Sequence, residues 1–464
     1  MTDVAPALAD AEPRPYWLSQ PGAPPAAEPL GAREAADLAV VGAGYSGLWT
    51  ALLAKERDPG RDVVVVEAQT AGWAASGRNG GFCSASLTHG FENGLSRWPG
   101  EVGTLERLGR ANLDEIEATV GRYGIDCGFE RTGELSVATA GWHLDDLAAY
   151  HREATARGLD VELLDRDRVR AELDSPTYLG GTWDRTGCAM VDPARLVWGL
   201  RRACRDLGVR LYENTPVRRI TRSGAGLRLH TPGGPVDAAR VAVATGAHGR
   251  LLRRLRHYVV PVYDYALMTE PLRPDQLAAI GWRNRQGVGD GGYQFHYYRI
   301  TDDDRILWGG YDAVYYPGGR ITADRDQRAA TFHTLARHFA RTFPQLSGIR
   351  FTHRWGGVID VCSRFSGFFG TGFGGRLAYA AGYTGLGVGA TRFGANVMLD
   401  LLGGERSERT GLAMIRTRPV PFPPEPVRSG VIQLTRWSIA RADRNGRRNL
   451  WLRTLDALGL GFDS

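Results

Sequence analysis

The chain has 464 residues, with 57 basic and 51 acidic side chains, a net charge of +6 and 43% hydrophobic residues, which suffices for two packed lobes. Lys55 is the sole lysine and the remaining basic residues are arginines, a compositional bias without the basic, aromatic-interleaved pattern of a nucleic-acid module, so no nucleic-acid partner is expected. Cys83, Cys127, Cys188, Cys204 and Cys362 form no Cys-x-x-Cys pair and leave an odd one over, and the ten histidines lack close spacing, which suits a reducing compartment and argues against a structural metal.

In chain order, residues 1–36 are Pro/Ala-rich and read by default as a disordered leader, although Tyr16-Trp17 argues for docking. The N-terminus lacks a basic segment followed by an apolar core, and the longest apolar stretches are too short or too glycine-rich to cross a bilayer, so a cytoplasmic location is expected. A buried strand, Leu38 to Val41, leads into Gly42-Ala43-Gly44-Tyr45-Ser46-Gly47 and then into good helix formers with helical spacing. Gly42 permits the tight turn, Gly44 a close approach to phosphates and Gly47 close helix packing, while the helix N-terminus points N–H groups at the anion. A second apolar strand, Val63 to Val66, ends in Glu67, twenty residues past Gly47, where a carboxylate accepts ribose hydroxyls. Strand, motif, helix, strand and acid together indicate a dinucleotide.

A further glycine-rich loop, Gly72 to Gly81 with Ser76-Gly77-Arg78-Asn79-Gly80-Gly81, can present several N–H groups and a guanidinium to a ligand, which points to FAD rather than NAD. A helix over Leu105 to Tyr123 is amphipathic scaffold. Asp192-Pro193 fits an N-cap with proline at the first helical position, and Val241 to Ala244 reads as a strand ending in the turn Thr245-Gly246. Tyr293 to Ile300 and Arg305 to Trp308, split by Thr301-Asp302-Asp303-Asp304, read as a hairpin. Gly382-Tyr383-Thr384-Gly385-Leu386-Gly387-Val388-Gly389 precedes a last helix whose positive end can face the flavin. From 416 onward nine arginines oppose four acids. Trp451, Leu455, Leu458 and Phe462 there form an amphipathic face for the protein's own surface or an anionic membrane.

On these motifs the chain resembles the D-amino-acid-oxidase, glycine-oxidase and sarcosine-oxidase superfamily of FAD-dependent amine oxidoreductases, nearest the γ-glutamylputrescine-oxidase-like branch, over about residues 15–405. The resemblance implies an α/β fold: a Rossmann-like FAD-binding domain (37–125, 191–260 and 351–405) with an interleaved α+β substrate domain on a mostly antiparallel sheet (126–190 and 261–350), and a basic tail over 406–464. It implies that Ala68 and Ala75 join the cofactor motifs above, and that Val217 meets the adenine. Cys362 does not fall at a flavin attachment position, so noncovalent FAD is expected. Gly382-Tyr383 replaces the Gly-Asp of flavin monooxygenases. Leu386 replaces a histidine common in related loops.

Flavin amine oxidation is dominated by positioning. Related amino-acid oxidases carry an arginine carboxylate clamp where this chain has Ile359, so an amine without an α-carboxylate is expected. Asp360 can receive an ammonium or act as a structural acceptor. Tyr293 and Arg299 are placed on one face of a strand and His296 and Tyr298 on the other. Arg299 can hold a distal anion or pair with Asp302 or Asp303, His296 is a candidate catalytic group or packing, and Tyr383 can wall the site. The expectation is an oxidase of a small primary or secondary amine, with oxygen or another acceptor. The alternatives are a membrane-docked dehydrogenase delivering electrons to quinone and a non-enzymatic FAD scaffold.

Overall fold

The computed structural model describes residues 4–248 and 251–460. The first sheet has the order Phe368–Gly372, Leu377–Ala381, Gly234–Val243, Glu34–Val41, Val63–Val66, Arg210–Tyr212. All its neighbours run parallel except the first pair. An antiparallel hairpin, Arg219–Ser223 with Gly226–Thr231, extends from Gly234–Val243. Val63–Val66 is buried at every residue, the pattern of a parallel strand covered on both faces. Helices Tyr45–Arg57 and Gly387–Gly403 pack on one face of this sheet, and the hairpin covers part of the other.

The second sheet has the order Phe351–Val361, Val260–Thr269, Ile306–Gly310, His296–Ile300, Gly287–Asp290, Glu134–Ala138, Gly180–Asp184, Val161–Leu164. Only Gly287–Asp290 and Glu134–Ala138 pair in parallel, so the sheet is mixed and mostly antiparallel. The helix Ala329–Thr342 packs Phe332, Leu335 and Phe339 against Tyr263, Tyr265, Leu267 and Trp308 on its rear. Residues of opposite parity, Val262, Asp264 and Ala266, face a cavity between the two sheets, as strand alternation requires.

The hairpin read around Thr301–Asp304 is present, with Ile300 opposite Ile306, but its first strand starts at His296 rather than Tyr293. Asp192 caps the helix Pro193–Asp206 by accepting from the Arg195 N–H. One boundary shifts. Phe351–Val361 pairs along Val260–Thr269, so the chain returns to the first sheet after residue 361 rather than at 351. The N-terminal segment is docked: Trp17 is 2% exposed, packs against Ala194, Ala266 and Trp355, and donates to the Asn79 carbonyl at 2.9 Å.

The tail forms helices Val427–Asn445 and Leu450–Ala457. Its inner side buries Ser438, Ala442 and Leu452, and the Asp443 carboxylate accepts the Tyr293 and Gln294 N–H groups at 2.7 and 2.9 Å. The tail therefore docks on the protein's own surface. Its outer side exposes Leu434, Trp437, Leu450 and Leu458. Phe462 lies outside the described residues. Among the described residues no helix is long and apolar enough to cross a membrane.

Candidate active site

A cavity of about 1570 Å³ runs between the sheets, larger than the roughly 300–1,000 Å³ of a typical small-ligand site. One end is the glycine turn. Gly42 has φ of +106°, and a Cβ there would lie 2.6 Å from the Ala244 carbonyl oxygen, while one on Gly47 would lie 1.8 Å from the Gly42 carbonyl oxygen. Only glycine lets strand, turn and helix approach this closely. Gly42, Gly44, Tyr45 and Ser46 line the cavity at the N-terminus of the helix Tyr45–Arg57, a ready anion site. Ala43 and Gly47 stand behind this wall.

Glu67 is buried and accepts from the Ala43 N–H at 2.7 Å and from the Gln69 N–H and Trp73 Nε1 at 2.9 Å. Burial raises its pKa and these donors oppose the rise. Of its four acceptor sites these bonds use three, which leaves room for a hydroxyl donor, and Glu67, Ala68, Val217, Thr245 and Gly246 share the same stretch of wall.

The loop Gly72 to Gly81 forms the middle of the wall. Ala75, Ser76, Arg78, Asn79 and Gly80 line the cavity, and Gly81 lies behind, where a Cβ would meet the Val191 carbonyl at 2.2 Å. Asn79 ties the loop together by donating to the Ala75 and Ser76 carbonyls and accepting from the Gly81 N–H. The Arg78 guanidinium is already committed: it pairs with Asp326 at 2.5 Å and donates to the Gly356 and Trp73 carbonyls. At the far end Tyr383, Gly385, Leu386, Gly387 and Val388 line the cavity just ahead of and within the first turn of the helix Gly387–Gly403. Gly382 lies behind, its N–H donating to Asp360 Oδ2 at 2.6 Å.

Asp360 lines the cavity, yet its carboxylate and carbonyl together secure the turn at Gly382 and Thr384, the structural arrangement weighed above. Burial pushes its carboxyl up to about 6. The Tyr383 hydroxyl lies 3.4 Å from Ser46 Oγ, joining the two cofactor helices' entry turns.

The strand residues sort differently from expectation. Tyr293 lines the cavity from the loop before the strand, stacked on Trp142 at 5.3 Å. Arg299, His296 and Tyr298 do not line it. Arg299 is 1% exposed and donates to the Val191 carbonyl at 2.6 Å beneath the Trp17 ring, so it fastens the lobe junction and holds no distal anion. His296 is clamped by Asp290 at 2.7 Å and His338 at 3.0 Å, and the Tyr298 hydroxyl meets Tyr178 at 2.5 Å. Both point to the rear of the sheet, where alternation puts even-numbered residues of this strand.

The cavity-facing position of the strand is Tyr297, whose hydroxyl donates to Asp264 Oδ2 at 2.5 Å. Burial pushes the Asp264 carboxyl up to about 6, and among the described residues it has no ion-pair partner. Neither residue was expected from the sequence. The available signal was a lone acid at an alternating position in the otherwise apolar run Val262-Tyr263-Asp264-Tyr265-Ala266.

The glycine turn with its acid, the central loop and the last helix turn thus lie along one continuous wall. Residues 37–401 match the family described as FAD dependent oxidoreductase. The chain is 32% identical over 398 residues to gamma-glutamylputrescine oxidoreductase of Escherichia coli, covering 83% of this chain and 88% of that protein. It is 28% identical over 389 residues to a probable oxidoreductase, OrdL, of Haemophilus influenzae, covering 81% of this chain and 85% of that protein. Its fold matches glycine oxidase from Geobacillus kaustophilus with a TM-score of 0.70 at 23% identity, over 83% of this chain and 100% of the other. The chain belongs to the DAO family of FAD-dependent oxidoreductases and uses FAD.

Proposed function

We propose that this protein oxidises a small primary or secondary amine lacking an α-carboxylate, consuming dioxygen and water and releasing a carbonyl compound, the smaller amine or ammonia, and hydrogen peroxide. The observation that carries the reading is Asp264, an enclosed carboxylate on the cavity wall that accepts a hydrogen bond from the Tyr297 hydroxyl. Bound FAD supplies the two-electron oxidant for the substrate α-carbon. An amine must shed its ammonium proton before it gives up hydride, and an acid with a pKa near 6 is suited to accept that proton at neutral pH. Tyr297 orients this carboxylate.

Among the described residues, the arginines on the wall offer a substrate carboxylate no uncommitted counterpart beside Asp264. Arg78, Arg110, Arg436 and Arg448 are paired with Asp326, Asp184, Asp312 and Asp456, and Arg218 sits beside Val217 at the glycine-turn end. The similarity to a protein named for γ-glutamylputrescine supports an amine. FAD is held noncovalently in this reading, because Cys362 is buried, donates to the Ser366 and Gly382 carbonyls, and has its thiol pKa raised by burial, which leaves it unreactive.

The test is an anaerobic absorbance titration of the yellow protein with diamines, N-methylated amines, γ-glutamyl amines, aminophosphonates and amino acids, followed by air. Bleaching by amines with rapid recolouring and peroxide is expected. Bleaching by α-amino acids alone overturns the substrate class, and bleaching with slow recolouring overturns oxygen as acceptor.

A further inference from the structure

The cavity has an arm on its far side that the amine-oxidation chemistry does not use. Its wall is built by the strands Glu134–Ala138 and Gly180–Asp184 and by the helices Val102–Arg122 and Gly141–Ala156, which bring Glu106, Glu134, Asp146 and Asp184 to one space. Arg110, the arginine these elements contribute there, is bound to Asp184 at 3.0 Å. Four acids against one arginine give this arm an acidic lining.

Glu134 distinguishes the arm from a solvated acidic surface. It is partly enclosed by the cavity wall, and burial together with the nearby Asp184 carboxylate pushes its own carboxyl up to about 7. It lines the cavity, and among the described residues its carboxylate has no hydrogen-bond or ion-pair partner in the protein. Enclosing an unpartnered carboxyl costs free energy unless a ligand supplies the missing donor. Its Oε1 leans across Gly289, where an added Cβ would be 3.5 Å away, so the absence of a side chain at 289 keeps the path along the sheet open. Gly289 pairs with Tyr297 on its other side. The strands of Glu134 and Tyr297 are therefore two spacings apart, roughly 10 Å.

We propose that this arm is a subsite for a second cationic nitrogen, so that the enzyme takes a di- or polyamine whose distal ammonium sits against Glu134 while the reacting amine sits against Asp264 and Tyr297. The inference rests on the amine-oxidation reading for the reacting end, and on the arm's own geometry for the distal end. An ammonium offers three donors to Glu134 and its acidic neighbours, whereas a monoamine of the same length would place an apolar tail against carboxylates.

The test pairs each member of the α,ω-diamine series from propane to octane with the n-alkylamine of equal chain length. Binding to the FAD-loaded enzyme is followed anaerobically by calorimetry and reaction by flavin bleaching, in wild type and Glu134→Gln. The expected result is one preferred diamine length that binds about tenfold or more tightly than its monoamine, with Glu134→Gln weakening that diamine about tenfold and the monoamine less than twofold. Asp146→Asn, on another element, should reduce the same preference to a smaller degree and serves if the first variant does not fold. Equal binding of diamines and monoamines by the wild type, or equal weakening of both by Glu134→Gln, overturns the subsite. Calorimetric diamine binding that is lost in Glu134→Gln without any bleaching keeps the subsite and rejects amine oxidation, whereas bleaching by monoamines and diamines alike rejects the subsite and keeps the oxidation.

Discussion

The two sides of the cavity are built by different means. The cofactor side is made of backbone: a glycine turn, two helix entry turns and a loop whose polar side chains are spent on bracing one another. Its buried acid Glu67 has three N–H donors. The substrate side is made of side chains on a sheet, and two of its acids are sparsely partnered: Asp264 accepts from the Tyr297 hydroxyl, and Glu134 has no protein donor among the described residues. A backbone cradle is complete before its ligand arrives, whereas a wall of under-partnered acids is completed by its ligand.

The largest expected effect tests the backbone cradle. A Cβ at residue 47 would sit 1.8 Å from the Gly42 carbonyl oxygen, a contact that backbone cannot relieve without moving the helix Tyr45–Arg57 off its sheet. Gly47→Ala should yield protein that is insoluble or emerges without flavin, read as the ratio of flavin to protein absorbance. Stoichiometric yellow protein would show that the turn is looser than this packing.

On the substrate side, Asp264→Asn should leave the flavin content intact and slow anaerobic bleaching about 100-fold at neutral pH, within the usual range for loss of a general base. The wild-type rate should rise as pH passes about 6, where Asp264 becomes ionised, and the variant should lose that limb. Tyr297→Phe should shift the limb and slow the reaction less. An unchanged pH profile in Asp264→Asn would remove the base from the mechanism.

Arg299→Met separates packing from recognition. The substitution leaves the Val191 carbonyl without its buried donor, a loss of about 1–3 kcal/mol, so the melting temperature should fall. The ratio of KM for amines with and without a distal anion should not move. A selective rise for anionic amines would return Arg299 to the binding site.

This division also explains what could be read in advance. Gly42 to Gly47, Glu67 and the loops at 76–81 and 382–388 carry their function in local spacing, because backbone geometry is encoded within a few residues. The hairpin at 296–310 and the cap at Asp192 were legible for the same reason. Tyr297, Asp264 and Glu134 lie on three different strands of one sheet, and what joins them is strand order and register, which no local pattern specifies. The fates of Tyr293 and Arg299 turned on where a strand begins and on which part of its face Trp17 and Val191 cover. The strand Phe351–Val361 went to the second sheet because its local sequence does not reveal its partner.

The smallest effect compares Glu67 and Glu134 directly. The folded Glu134 carboxyl is pushed up to about 7, so the folded state holds its proton where the unfolded chain, with a value near 4.3, has released it. Its stabilising proton is fully present below the unfolded value and is lost as pH rises through the folded one. Glu134→Gln removes that dependence, so its melting temperature should exceed the wild type by a few degrees near pH 8 and match it near pH 5. Glu67→Gln should do the opposite of stabilising: an amide presents N–H to at least one of three N–H donors that already converge there, at a cost of about 1–3 kcal/mol, and the melting temperature should fall at both pH values. If Glu67→Gln instead behaved like Glu134→Gln, the three donors would not be compensating its burial, and the contrast between a completed cradle and an incomplete wall would fail at its best-defined pair of residues.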